Sequence, residues 1–186
     1  DNRLLIAYGL TKQGSDEFRK NDDRIELSSK YGYNAVKKWY YSALMNFKTQ
    51  FSNGYDYTNP DERVMISAPL APGYLLASIG MDYKPNEKFS IMISPITAKF
   101  TIVNDDSLSA DGAFGVEPGE NFRSEIGAYV NSIFKQPLMK NVDLLTKLEL
   151  FSNYKDNPQN IDVDWELSID MRINKYLTAN LGTHLI

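Results

Sequence analysis

Apolar and polar residues alternate along most of this chain, and the clearest run extends from Ile161 to Ile173. On one side, every second residue is Ile, Val, Trp, Leu or Met. The residues between them are Asp162, Asp164, Glu166, Ser168, Asp170 and Arg172. A two-residue repeat places these two sets on opposite faces of a strand, whereas a helix would distribute both sets around its axis. The run therefore predicts a β-strand with one apolar face and one ionic face.

Other segments repeat this alternation and extend the prediction to about nine strands, with no helix. Clear strands are expected over residues 39–51, 75–84, 89–102, 122–135, 161–173 and 177–185, and weaker ones over 4–10, 24–33 and 142–154. Pro95 shifts the phase of its strand, since Ile93 precedes it and Ile96 follows it on the apolar face. Proline cannot donate a hydrogen bond to the ladder, so a β-bulge is expected there.

The connections between these strands alternate between short and long. Short turns are expected at 34–38, 85–87, 136–141 and 174–176, and longer loops at 11–23, 52–73, 104–121 and 155–160. A three-residue turn at 174–176 keeps the leucines of the last strand on the apolar side and sets Glu166 opposite His184. Short turns at one end and long loops at the other are typical of an antiparallel up-and-down barrel of the outer membrane.

Composition narrows the class of protein. A chain of 186 residues with a net charge of −4 suits one domain without a basic surface, so no nucleic-acid partner is expected. The absence of cysteine excludes disulfides, thiol catalysis and cysteine metal sites. No apolar run approaches the roughly 18–20 residues of a membrane helix. The composition is compatible with a membrane barrel, because the polar interior of such a barrel keeps the average hydropathy low.

The orientation of the apolar face decides between a membrane and a water-soluble barrel. The expected strands are longer than the roughly 5–6 residues of a typical globular strand and reach the roughly 9–11 that a tilted membrane strand needs. Aromatic residues also collect near the strand ends, as a girdle at each lipid interface would require. The predicted lipid-facing girdle comprises Trp39, Tyr41, Tyr83, Phe89, Phe122, Phe134 and Trp165. The alternative is a soluble ligand-binding barrel with an apolar interior.

Several short motifs add a family resemblance. They include Lys38-Trp39-Tyr40-Tyr41, Leu70-Ala71-Pro72-Gly73-Tyr74, Asp82-Tyr83-Lys84-Pro85-Asn86 and Gly112-Ala113-Phe114-Gly115-Val116-Glu117-Pro118-Gly119-Glu120. In this order they resemble an uncharacterised family of Bacteroidota outer-membrane proteins described only as a domain of unknown function. The resemblance implies the outer membrane of a Gram-negative bacterium, with its lipids as surroundings, and it supplies no catalytic residues.

The resemblance also implies a larger protein. Family members extend beyond both ends of this chain, and bacterial single-chain barrels have an even number of strands. Residues 1–186 are therefore expected to form a single barrel domain that is truncated at both ends, within a barrel of about twelve strands.

The polar faces predict a network in the interior of the barrel. Its members are Arg123, Glu125, Lys147, Glu149, Asp164, Glu166, Asp170, Arg172 and His184. One interpretation is the lining of a polar channel, and the other is an interior plugged by ion pairs, because small barrels are often filled by side chains.

Two alternative chemistries were considered for the polar residues. Ser168, His184 and Glu166 could supply the nucleophile, base and orienting acid of a hydrolase, or could belong to the interior network. The acidic residues of loop 104–121 offer oxygens suited to calcium, but their spacing matches no known calcium loop. No catalytic residue, metal or cofactor is therefore predicted.

Loop 52–73 is rich in apolar and aromatic residues. Those predicted to matter are Tyr55, Tyr57, Met65, Ile66 and Leu70, which either fold into the barrel mouth or dock a partner. Three functions follow. We prefer a structural or accessory subunit that binds other outer-membrane or envelope proteins through its extracellular loops. The alternatives are a channel for small solutes and an outer-membrane hydrolase.

Overall fold

The computed structural model describes residues 1–14, 17–58 and 63–186. Parts of the loops expected at 11–23 and 52–73 thus lie outside the described residues. The strands are β1 (Asn2–Thr11), β2 (Arg19–Val36), β3 (Trp39–Thr49), β4 (Gly54–Asp56), β5 (Val64–Ser67), β6 (Gly73–Asn86), β7 (Phe89–Ile102), β8 (Phe122–Met139), β9 (Val142–Asn153), β10 (Ile161–Arg172) and β11 (Thr178–Leu185). A helix, α1 (Asp106–Ala110), and a 3-10 turn (Ala113–Gly115) lie between β7 and β8.

The predicted all-β fold and its main sheet are confirmed. Nine strands form one sheet in the order β1-β2-β3-β6-β7-β8-β9-β10-β11, so each strand is hydrogen-bonded to the one before it in the sheet. The registered pairs β1–β2, β8–β9, β9–β10 and β10–β11 are all antiparallel. The described helices include none that is long and apolar enough to cross a membrane.

Two of the predicted loops contain short elements that the alternation of residues did not indicate. Strands β4 and β5 pair with each other inside the predicted loop 52–73. Helix α1 lies inside the predicted loop 104–121, where the Asp105 side chain accepts hydrogen bonds from the backbone N–H groups of Ser107 and Leu108. Such N-capping satisfies otherwise unpaired donors of the first turn. These elements are too short to show a periodic pattern of apolar and polar residues in the sequence.

Three of the short turns are tighter than predicted, because the strands continue further. The residues left between strands are Lys37–Lys38, Glu87–Lys88 and Lys140–Asn141. Lys37 and Asn141 have φ angles of 52° and 66°, in a region that tight turns use. Asn86 Oδ1 accepts hydrogen bonds from the backbone N–H groups of Lys88 and Phe89, so this side chain closes its own turn.

The last hairpin and the bulge agree with the prediction. Glu166 lies opposite His184, and the backbone N–H of Ile173 donates to the carbonyl of Leu177 at 3.0 Å. In β7, Pro95 and Ile96 are both exposed between the buried residues Ser94 and Thr97. Two successive residues on one side are the shift that a bulge produces.

The chain divides into two compact units. The first contains Asp1–Lys30, Leu44–Ala77 and Ala98–Glu125, and its apolar cluster lies where β5, α1 and the loop residues meet. That cluster comprises Ala68, Ala71, Val103, Leu108 and Val116, with Met65, Ala113 and Phe114 packed against it.

The second unit contains Tyr31–Ala43, Ser78–Thr97 and Ile126–Ile186. Its most buried side chains are largely polar. They are Ser42, Ser78, Asp82, Met92, Ser94, Thr97, Tyr129 and Phe151.

In the central strands β6 and β7, polar residues are buried beside exposed apolar neighbours. Ser78 is 2% exposed, whereas its neighbour Ile79 is 64% exposed. Thr97 is fully buried, whereas Ile96 is 65% exposed. Other exposed apolar residues include Leu4, Ile6, Ile93, Ile126 and Leu181. The soluble alternative predicts apolar residues at the buried positions, whereas at these positions of β6 and β7 the polar residue is the buried one.

Candidate functional site

The polar face of the first unit holds an ion-pair group around Glu125, which is 8% exposed. Arg123 Nη2 lies 2.9 Å from Glu125 Oε1, and Lys99 Nζ lies 4.0 Å from Oε2. Arg123 also donates through Nη1 to the carbonyl of Gly115 at 2.9 Å. The carboxylate thus has two cationic neighbours, as a charge taken out of water requires. Arg123 and Glu125 were predicted to lie together, whereas Lys99 was not included.

A second group on the polar face centres on Tyr129 in β8. Asn131 Nδ2 donates to Glu149 Oε1 at 3.2 Å and to the Tyr129 hydroxyl at 3.3 Å. The Tyr129 side chain is 1% exposed, and fully buried Met92 belongs to the same unit. Of these residues only Glu149 was predicted. Tyr129 could have been found, because it occupies a polar-face position in the alternation of residues 122–135.

The remaining predicted residues lie on β9, β10 and β11. Lys147 Nζ lies 2.9 Å from Glu166 Oε2, and His184 Nε2 lies 2.8 Å from Asp164 Oδ1. Asp170 accepts a hydrogen bond from Asn180 at 2.7 Å. Arg172 is exposed at the end of β10, where its backbone N–H donates to the carbonyl of Asn141. Sequence reasoning paired His184 with Glu166 across the strands, but its hydrogen bond goes to the diagonal residue Asp164.

The three residues considered for a hydrolase do not form a nucleophile–base pair. Ser168 lies opposite Gly182, and its hydroxyl accepts a hydrogen bond from Asn180 Nδ2 at 2.8 Å. His184 contacts Asp164 instead. A serine nucleophile needs its base within hydrogen-bond reach, and among the described residues His184 does not hold that position.

One group of side chains on β10 and β11 has the composition of a cation site. Asp164, Glu166 and His184 each offer a ligand atom, and these atoms all lie within 4.8 Å of one another. An open depression of about 260 Å³ borders the group and is lined by Leu145, Lys147, Ser168 and Asn180, among others.

The apolar residues of loop 52–73 are partly covered by their own chain. Met65 packs against the apolar cluster of the first unit. The Tyr57 ring lies beneath two guanidinium groups, with Arg19 at 5.1 Å and Arg63 at 6.0 Å from its centroid. Ile66 and Leu70 remain exposed, at 51% and 37%.

Polar contacts support the same loop. Arg63 forms an ion pair with Glu17, and the Tyr55 hydroxyl accepts a hydrogen bond from Asn53 at 3.5 Å. The hydroxyl and the backbone N–H of Thr58 donate to Asp56 and lower the pKa of that carboxyl. These contacts lie beside the paired strands β4 and β5.

Four aromatic residues near the strand ends pack in two pairs. Trp39 and Tyr83 have ring centroids 4.8 Å apart, and Phe100 and Phe122 are 5.6 Å apart. Trp165 donates through Nε1 to Thr146 Oγ1 at 2.8 Å. The remaining predicted girdle residues, Tyr41, Phe89 and Phe134, are exposed or half-buried.

Comparison with protein families gives a match to the N-terminal part of the chain. Residues 1–55 match a family described as "Protein of unknown function (DUF3078)". No curated protein and no protein of solved structure shows significant similarity to the chain. Strands β1 to β3 and the start of the following loop are therefore similar to a domain of unknown function, which agrees with that part of the expected resemblance.

Proposed function

We propose that this chain is part of an outer-membrane β-barrel of about twelve strands, in a Gram-negative bacterium of the Bacteroidota. We further propose that it is a structural or accessory subunit that binds other envelope proteins through its extracellular loops. Its interior is filled by side chains.

The observation that carries this proposal is the exposed apolar face. Ile79, Ile96 and Leu181 are each at least 60% exposed, while polar neighbours such as Ser78 and Thr97 are buried. Burying one such side chain is worth about 1.5–3 kcal/mol, so a continuous exposed set opposes solubility in water. Hydrocarbon chains around the barrel provide the apolar surroundings, and the enclosed polar face avoids lipid.

Strand dimensions support the same placement. Strands β6 and β7 each have 14 residues, and β2 and β8 each have 18. A tilted strand needs roughly 9–11 residues to cross the hydrocarbon core. The paired rings of Trp39 and Tyr83 are amphipathic, as expected at a lipid interface, and Phe100 and Phe122 form a second aromatic pair.

Spin labels on single cysteines test the membrane placement, because the chain contains no cysteine of its own. Labels at Ile79 and Leu181 should collide more often with lipid-dissolved oxygen than with a water-soluble nickel complex. The matched control is Asn180→Cys, next to Leu181 on the other face of β11, which should show the lower oxygen accessibility. Equal oxygen accessibility of labels at residues 180 and 181, or a monodisperse protein in detergent-free buffer, would refute the proposal.

A filled interior favours the accessory function over the solute channel. Met92 and Tyr129 are buried in the second unit, and the Arg123–Glu125 and Lys147–Glu166 pairs keep charges together on the polar face. The protein in planar bilayers should leave the membrane sealed. Steady single-channel steps that disappear when a bulkier residue replaces Ser94 would instead establish the channel.

The exposed loop residues supply the proposed docking contacts. Ile66 and Leu70 remain exposed although Met65 and Tyr57 are covered. Replacing both Ile66 and Leu70 by Asp should remove envelope proteins that co-purify stoichiometrically after mild detergent extraction. The control is Asn53→Asp, which adds charge at an exposed polar position of the same loop. Unchanged co-purification in the double variant would refute docking through this loop while leaving the membrane placement untouched.

A further inference from the structure

We propose that Asp164, Glu166 and His184 bind a divalent transition-metal ion such as Zn²⁺ on the polar face of β10 and β11. The proposal concerns the sheet itself and does not depend on the membrane placement. It goes beyond the proposed function, because it assigns a ligand to one part of the polar face of the sheet.

The spacing of the three residues suits chelation. Asp164 and Glu166 are two positions apart on β10, so their side chains leave the same face of the strand. His184 lies directly opposite Glu166 on β11. Two alternate positions on one strand and one on its neighbour bring the three ligand atoms within 4.8 Å of one another. The backbone ladder fixes this arrangement before any ion binds, which lowers the entropic cost of assembling the site.

The surrounding charge favours a cation. On β9 and β10, Glu149 lies opposite Asp164 and Asp143 lies opposite Asp170, and like charges in such positions repel. On this face β9 and β10 carry the acidic residues Asp143, Glu149, Asp162, Asp164, Glu166 and Asp170, and the basic residues there are Lys147, Arg172 and, on β8, Lys135. A bound divalent ion would offset part of this excess of negative charge.

The donor set selects the class of ion. An imidazole nitrogen with two carboxylates is a ligand set that Zn²⁺ accepts, while Ca²⁺ and Mg²⁺ prefer oxygen ligands alone. The adjoining depression of about 260 Å³ offers room for water or another small ligand to complete the coordination. In the structure the His184 Nε2 atom already points at Asp164, 2.8 Å away, so an ion would replace this hydrogen bond.

Lys147 is the competing cation at this site. Its Nζ lies 2.9 Å from Glu166 Oε2, so a metal ion must displace the ammonium or share the carboxylate with it. Removal of the lysine charge should therefore tighten metal binding, whereas an ion-pair network without a metal site gives no reason for such a change.

Isothermal titration of the folded protein with ZnCl₂, in the detergent in which it is purified, tests the proposal. We expect one ion per chain, and each of His184→Ala, Asp164→Asn and Glu166→Gln should weaken binding at least about ten-fold. Lys147→Gln should tighten it by up to roughly ten-fold. The matched control is Asp170→Asn, on the same face of β10 but outside the group, which should change the affinity less than about two-fold. Cobalt absorption in the visible range reports the ligand geometry in the same variants.

Several results would overturn the proposal. They are the absence of saturable Zn²⁺ binding to the wild-type protein, equal weakening in His184→Ala and Asp170→Asn, or weaker binding in Lys147→Gln. Displacement of Zn²⁺ by an equal concentration of Ca²⁺ would also overturn it, because the two carboxylates would then account for binding without His184. Variants are compared only when their thermal unfolding matches that of the wild type, and Lys147→Gln keeps the test decisive if a ligand variant fails to fold.

Discussion

Replacement of Ile79 by Arg distinguishes a lipid-facing strand from a water-facing one. Ile79 is 64% exposed and is the seventh of the 14 residues of β6. At about 3.3 Å per residue this strand is roughly 46 Å long, and a tilt of about 40° reduces its rise to roughly 35 Å. In the proposed barrel, the residue halfway along this strand would therefore lie near the middle of an apolar band about 25 Å tall.

The expected magnitude follows from this depth. An arginine on the lipid face near the bilayer midplane lowers the free energy of unfolding by about 2–4 kcal/mol. The same change at a water-exposed position alters stability by about 0.5 kcal/mol or less. The control is Tyr176→Arg, at an 85% exposed position in the last turn, for which the smaller value is expected. The difference between the two variants should thus be several-fold.

Urea titration of the protein folded into phosphatidylcholine vesicles measures both variants, followed through the fluorescence of Trp39 and Trp165. The midpoint for Ile79→Arg should fall well below that of the wild type, with an unchanged slope. The reasoning is refuted if Ile79→Arg and Tyr176→Arg destabilise the protein equally, because β6 would then have water on its apolar side.

Three further substitutions test individual contacts. Tyr129→Ala should lower the free energy of unfolding by about 3 kcal/mol, because it empties a buried volume and leaves Glu149 with fewer partners; denaturant titration measures this, and Tyr176→Ala should have almost no effect. Ser94→Ala should lower the free energy of unfolding by about 1–3 kcal/mol, since Ser94 Oγ lies 2.7 Å from the Ile79 carbonyl and 2.9 Å from Thr97 Oγ1. An unchanged midpoint of denaturant unfolding would show that the bulge at Pro95 does not depend on this hydroxyl. Asp105→Ala should destabilise α1 by about 1 kcal/mol and speed hydrogen exchange at the Ser107 and Leu108 amides, whereas Asp105→Asn should retain most of the protection.

The strands were predictable because their two faces differ in environment. Residues 161–173 separate completely by polarity into two faces. The phase shift at Pro95 was predictable because Ile93 and Ile96 belong to the same apolar face although they are three residues apart. The register of the last hairpin was also readable, since a one-residue slip would have put the leucines of β11 on the ionic face. In each case the pattern of apolar and polar residues was sufficient for the prediction.

The parts that could not be predicted depend on volume, side-chain conformation or very short elements. Met92, Tyr129 and Phe151 are apolar or aromatic residues on polar faces, where they fill space. The contact of His184 with Asp164 is diagonal, so register did not reveal it. Helix α1, with five residues, is too short to show periodicity. The turn after β6 is closed by the Asn86 side chain, which strand alternation does not report.

The sheet order has a consequence for folding kinetics. Every strand after β1 pairs with the strand that precedes it in the sheet, and all of these pairings except β3 with β6 join strands that are consecutive along the chain. Closure entropy grows slowly with the length of the interval, and the longest interval between neighbouring strands is the one that contains β4 and β5. The sheet can therefore grow hairpin by hairpin, and the rate-limiting closure is expected where β6 meets β3. A shortened segment between these two strands should accelerate refolding more than an equal deletion in any other loop.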